Sequence, residues 1–269
     1  MKIVGDGAIA AFLLKDKKAN PFVACFCFGI GALIGISASL NISGGHINPA
    51  VTVAFAALKK FPLRKVWYYL LSQYLGGFVA AAAVFAMYYD GINEYDGGVR
   101  SAFNSSTSTG EIFATYPAPH LSILGGFVDQ VIGTAILLFA VLAVTDENNI
   151  KTPKGLIPLV LAFVITGVCV AFHLNAGAIL NPARDLAPRL FTAVAGYGWE
   201  PFRSPQNGHY WYVTGVLGPH IGALIGTAVY LLTIDHQNLL LLNDESGNVE
   251  VEEIRPTTNG KFLNKCIRS

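Results

Sequence analysis

The tripeptide Asn-Pro-Ala occurs twice, as Asn48-Pro49-Ala50 and Asn181-Pro182-Ala183, and each copy opens a short apolar run set between long hydrophobic segments. Asparagine is a strong helix N-cap, and proline suits the first helical position, where its missing N–H would have had no partner. Each copy therefore predicts a helix start. One copy alone would mark an ordinary capped helix; two copies in matched surroundings predict two matched half-sites. Glycine precedes each asparagine closely, at Gly44 and Gly45 and at Gly177, as suits a backbone that turns sharply and comes near something.

Composition fixes the solvent. The 269 residues are 53% hydrophobic and 13% charged, with a mean hydropathy of +0.49, which is too apolar for a soluble domain and predicts an integral membrane protein. A net charge of +1 gives no basis for a nucleic-acid partner. Cys25, Cys27, Cys169 and Cys266 have neither zinc-ligand spacing nor a disulfide framework, and read as small reduced core residues. With no nucleophile beside a base, no phosphate-cradling loop and no metal cluster, the sequence implies neither an enzyme nor a cofactor.

Five stretches, 21–40, 66–88, 121–144, 156–174 and 212–234, approach the roughly 20 residues a bilayer requires. The runs 50–58 and 183–194 are too short to cross and read as re-entrant half-helices. Lys59, Lys60, Arg64 and Lys65, then Lys151 and Lys154, then Arg255, Lys261, Lys265 and Arg268 fall on one side of this topology, which the positive-inside tendency makes cytoplasmic. Lys15, Lys17 and Lys18 stand against it. The loop 90–120 is then outside and carries a candidate glycosylation site at Asn104, in Asn104-Ser105-Ser106, while the polar stretch 235–269 reads as a mobile cytoplasmic tail.

Entering from opposite faces, the half-helices would meet N-terminus to N-terminus near the midplane. Each asparagine carbonyl would cap its own helix and leave its NH₂ free to donate to a passing solute, while the two positive ends disfavour cations. The expected cargo is uncharged and hydroxyl-bearing.

With these residues in place the chain resembles the aquaporin superfamily over roughly residues 5–234, and more narrowly its aquaglyceroporin branch. The resemblance implies an all-α membrane protein built as an inverted repeat, usually four pores to a homotetramer, conducting glycerol, water and, as a further candidate, urea across the plasma membrane's lipid bilayer. It makes residues 1–234 the channel domain, with repeats at 1–90 and 121–234. It also makes Asp185, Arg189, Tyr116 and Pro219 markers of the glycerol branch, although His220 stands where that branch usually has leucine. Its constriction maps onto Phe28, Cys169, Ala178 and Arg184, with Gly167 the alternative to Cys169.

Plainer readings stand beside these. Asp185 and Arg189, at i and i+4, form a pair that stiffens a half-helix. Phe28 taken alone is a packing or lipid-facing aromatic. Arg184 as a snorkelling headgroup anchor fits poorly, because it directly follows a capped half-helix and is costly at that depth. His46 reads as a loop-shaping residue, and Gln73 and Asp129 as buried pins for the re-entrant loops.

The family's first span has only residues 1–14 ahead of the basic loop 15–20. At about 1.5 Å per residue they reach roughly 21 Å, short of a hydrocarbon core about 30 Å thick. The expectation is thus five full spans and a remnant of the first, in a truncated chain that conducts poorly or, as the alternative to a channel, acts through assembly with intact relatives.

Overall fold

The computed structural model describes residues 1–16, 18–203 and 205–238, and among them every regular element is helical. In chain order these are α1 (Lys2–Asp16), α2 (Pro21–Ser43), α3 (Pro49–Ala57), α4 (Leu63–Met87), α5 (Tyr89–Asp96), α6 (Ile123–Thr145), α7 (Ile157–Ala171), α8 (His173–Ala176), α9 (Pro182–Thr192) and α10 (Glu200–Arg203). A last long segment, α11 (Tyr210–Asn238), completes the set.

The apolar segments become helices that start where sequence chemistry dictates. Asn20 caps α2 through Val23 N–H, and Ser122 caps α6 through Gly125 N–H. Gly44, with φ 74°, ends α2 in the left-handed conformation that glycine adopts freely. Four helices, α2, α4, α6 and α11, are long and apolar enough to cross a membrane. The fourth predicted span is not one continuous helix: α7 has 15 residues, and the chain breaks at Phe172 before resuming as α8. Within 90–120 the chain forms α5 rather than loop alone.

α11 is not a regular helix. Pro219 sits at the start of its regular section, Gly218–Tyr230, and π-helical turns at Val213–Leu217 and Leu231–Asp235 flank that section. A proline inside a helix lacks its N–H and crowds the preceding turn, and a widened turn absorbs both. α11 also runs on to Asn238, so residues 235–238 are helix and not tail. The remainder of the expected tail, 239–269, lies outside the described residues.

Packing interlocks the two repeats. Each half-helix lies against the last span of the other repeat, α3 on α11 and α9 on α4, and the two half-helices meet each other. Small residues allow the closest approaches: a Cβ at Gly29 of α2 would come within 2.8 Å of the Ala162 carbonyl oxygen of α7, and one at Gly222 of α11 within 3.0 Å of Thr134 Cβ of α6. The outside of the bundle exposes large apolar side chains such as Leu71, Leu75 and Val79 on α4 and Ile132 and Ile136 on α6, as a surface facing lipid does.

α1 packs against α2 and α4, burying Ile9, Ala10 and Leu13. Inside that contact Lys2 is buried with Asp6 as an ion pair and donates to the Phe113 carbonyl at 2.9 Å. Next to Met1, a groove of about 770 Å³ runs between α2 and α4 past Ile34, Tyr69, Gln73 and Gly77.

Candidate functional site

The two Asn-Pro-Ala motifs fold alike. Asn48 (φ −146°, ψ 123°) and Asn181 (φ −144°, ψ 106°) are both extended, and each is followed by a proline in the first helical turn. Asn48 Oδ1 accepts from Ala50 N–H at 2.9 Å, and Asn181 Oδ1 from the N–H groups of Ala183 and Arg184 at 3.1 and 3.2 Å. The side-chain amides are not both free, as the sequence reading had them. Asn48 Nδ2 donates to the Leu180 carbonyl at 2.9 Å, and Asn181 Nδ2 donates to the Ile47 carbonyl at 2.8 Å. Each NH₂ spends one hydrogen tying its motif to the opposite loop and keeps the second.

The second loop carries backbone strain. Ala178 and Leu180 both have φ 50°, a left-handed conformation costing a non-glycine residue about 1–2 kcal/mol. Side chains from α6 hold it there. Gln130 Oε1 accepts from Leu180 N–H at 2.8 Å, Gln130 Nε2 donates to Asp129 Oδ2 at 2.8 Å, and Asn175 Nδ2 donates to Asp129 Oδ1 at 2.8 Å. In the first loop, Gln73 Nε2 donates to the His46 carbonyl and to Thr52 Oγ1, each at 3.0 Å. The His46 ring packs among Phe55, Phe61 and Tyr69. Gln73, Asp129 and His46 thus stand where their structural readings put them. Gln130 is a residue that sequence reasoning missed; its signal was a second polar residue beside Asp129 in an otherwise apolar span.

A cavity of about 510 Å³ runs from Lys60 and Pro62 past Asn48 and Asn181 to Arg184, and its wall includes Phe28, Cys169 and Ala178. A smaller cavity, about 190 Å³, lies on the other side of Arg184 against Glu111, Tyr116, His173 and Gly177. Arg184 is therefore common to both. Its Cζ stands 4.6 Å from the centre of the Phe28 ring. Its Nη1 is buried with no hydrogen-bond partner among the described residues, 3.9 Å from Asp185 Oδ1. All four residues mapped to the constriction are buried on the wall of one cavity, whereas Gly167 is exposed on the outside of α7.

Asp185 and Arg189 form an ion pair with Nη2–Oδ2 at 3.0 Å, and they do more than stiffen α9. Asp185 Oδ1 accepts from both Thr115 N–H and Thr115 Oγ1 at 2.7 Å, while Arg189 donates to the carbonyls of Thr115 and Pro201. The fully buried pair is a clamp joining the half-helix to the segments that carry Thr115 and Pro201. Tyr116 covers it, its ring 5.0 Å from Arg189 Cζ and stacked on Phe103. Burial pushes the Tyr116 phenol well above its usual range, so it stays neutral. Pro219 lies in the α11 kink, where His220 Nδ1 is 2.8 Å from the Val216 carbonyl. Asn104 is exposed on the loop between α5 and α6, with φ 61°.

Comparison with known proteins gives the same picture. The family model described as Major intrinsic protein matches residues 3–230. Aquaporin-9 of Homo sapiens is 41% identical over 234 residues, a match taking in 87% of this chain and 78% of that protein. Aquaporin-2 of Milnesium tardigradum is 39% identical over 237 residues, covering 88% of this chain and 72% of its own length. The X-ray structure of the aquaglyceroporin from Plasmodium falciparum matches with a TM-score of 0.78 at 28% identity, over 89% of this chain and 93% of that one.

Proposed function

The chain belongs to the major intrinsic protein family of membrane channels, and is no enzyme; from that premise we propose that it passes glycerol together with water, and with them other small neutral solutes such as urea. The observation that carries this reading is the placing of Arg184 against Phe28 in a cavity wall to which Cys169 and Ala178 contribute only small side chains. The ring takes the carbon backbone of a polyol on one side, and the cavity-facing edge of the Arg184 guanidinium donates to its hydroxyls on the other.

The second amide hydrogens of Asn48 and Asn181 then receive the solute oxygen deeper in the channel. Both half-helix N-termini point at that place, and with the Arg184 charge they raise the energy of a cation or a hydronium ion. Buried Asp185 keeps the loops around Arg184 in position through Thr115 and Arg189 without itself reaching the solute.

The same reading makes the assembly a homotetramer in the plasma membrane, with Lys59, Lys60, Arg64 and Lys65 on the cytoplasmic side. The C-terminus is then cytoplasmic and Asn104 lies outside, where it can carry a glycan. Proteoliposomes holding the purified chain should swell in an inward glycerol gradient and respond to a sucrose gradient with fast water flux. Water flux without glycerol flux would limit the channel to water; swelling in neither would favour a non-conducting subunit that acts through assembly with relatives.

A further inference from the structure

Cys25, Cys27 and Cys169 are all free thiols, and two of them are brought together. α2 and α7 cross at Gly29, where a Cβ would collide with Ala162 and Thr166. One turn further out on both helices, the Cys25 and Cys169 side chains are neighbours in one buried cluster. A disulfide requires Cα atoms about 4.4–6.8 Å apart, and helices packed closely at a glycine one turn away favour such an approach. Cys25 Sγ is also 4.0 Å from His173 Nδ1. Cys169 lines the same cavity as Phe28 and Arg184, and His173 lines the smaller cavity beyond Arg184, so the pair lies beside the solute's route. Cys27 is not part of that cavity wall.

We propose that Cys25 and Cys169 are a redox pair in the wall of the constriction, which a small hydroperoxide entering from the outer cavity oxidises to a disulfide. One thiol, its proton passing to His173, attacks the peroxide oxygen; the O–O bond breaks, the leaving oxygen takes up a proton, and the cysteine becomes a sulfenic acid. The second thiol attacks that sulfur, the S–S bond forms and water leaves. In sum the two thiols lose two electrons and two protons, and the hydroperoxide is reduced to an alcohol and water, or to two waters when it is hydrogen peroxide. Cys169 Sγ is drawn towards α2, and the constriction loses the Cys169 thiol as a donor. This last consequence rests on the proposed route past Cys169; the disulfide does not.

The test uses the full chain in proteoliposomes, treated with graded hydrogen peroxide and then with a maleimide. Peptide mass spectrometry should find a peptide pair joined through Cys25 and Cys169, lighter by two hydrogens than the separate peptides and released by dithiothreitol. It should still form in Cys27→Ser and be lost in Cys25→Ser. Methyl methanethiosulfonate should slow glycerol swelling of the reduced protein by adding to Cys169, and should lose that effect after peroxide. Sulfenic or sulfinic acid on either cysteine without the joined peptide, or a link through Cys27 or Cys266 instead, would overturn the pair. A joined peptide with the methanethiosulfonate block unchanged would overturn its coupling to conduction. The mass readout needs no flux, so it decides the redox pair even if glycerol conduction fails.

Discussion

Arg184 of the second repeat and Phe28 of the first meet with the guanidinium carbon 4.6 Å from the ring centre, so that a charge and an apolar face confront each other across the repeat boundary. Removing the charge and keeping the fold separates what each contributes. Arg184→Val should leave water flux within a small factor and raise proton or cation leak by about tenfold or more, which corresponds to about 1.4 kcal/mol off the barrier. Leak measured by a pH-sensitive dye in proteoliposomes checks it; an unchanged leak would assign the whole barrier to the half-helix dipoles.

Ala178 is held at φ 50° on the cavity wall and is buried. Ala178→Phe keeps a non-glycine residue in that strained conformation but fills the opening. Glycerol swelling should fall by more than osmotic water flux, because glycerol needs the wider passage. Equal loss of both fluxes would place Ala178 away from the constriction.

Asp185→Asn leaves Arg189 buried and fully charged with its carboxylate gone. Breaking one side of a buried pair costs about 3–5 kcal/mol, and here it also weakens two bonds from Thr115. The detergent-solubilised variant should melt well below the parent in a thermal scan and reach the cell surface poorly. An unaltered melting midpoint would mean that the clamp contributes nothing.

Gln130→Leu strips Leu180 N–H of its acceptor at 2.8 Å while preserving side-chain bulk. An orphaned buried donor costs about 1–3 kcal/mol. Because Leu180 also supplies the carbonyl that Asn48 binds, the variant should lose glycerol flux beyond its loss of expression. Flux per folded molecule, normalised to protein in the vesicles, is the readout, and a normal value would confine Gln130 to a packing role.

The spans and half-helices were legible in the sequence because they depend on local chemistry: apolar length, and an asparagine followed by a proline. Helix ends shifted by a few residues, and α7 stopped early at Phe172, since a hydropathy run does not record where a chain turns. Arg184 and Asp185 were found through their position beside a motif. Gln130 and Thr115 escaped because their partners lie far away in sequence, Leu180 and Asp185, and only folding pairs them. The asparagine amides were misjudged for the same reason. Their acceptors, Leu180 and Ile47, are ordinary apolar residues whose backbone carbonyls carry no sequence mark.

That reciprocal tie has a consequence for synthesis. When the ribosome has delivered α3, the carbonyl that Asn48 will bind belongs to a residue 132 positions downstream, and the helix that α3 will lean on, α11, is later still. The first re-entrant segment can be held early by α4, through Gln73 on Thr52 and the His46 carbonyl, while its asparagine amide stays unmatched. The second half arrives as the missing complement, so a segment made early in the chain is completed only by one made late.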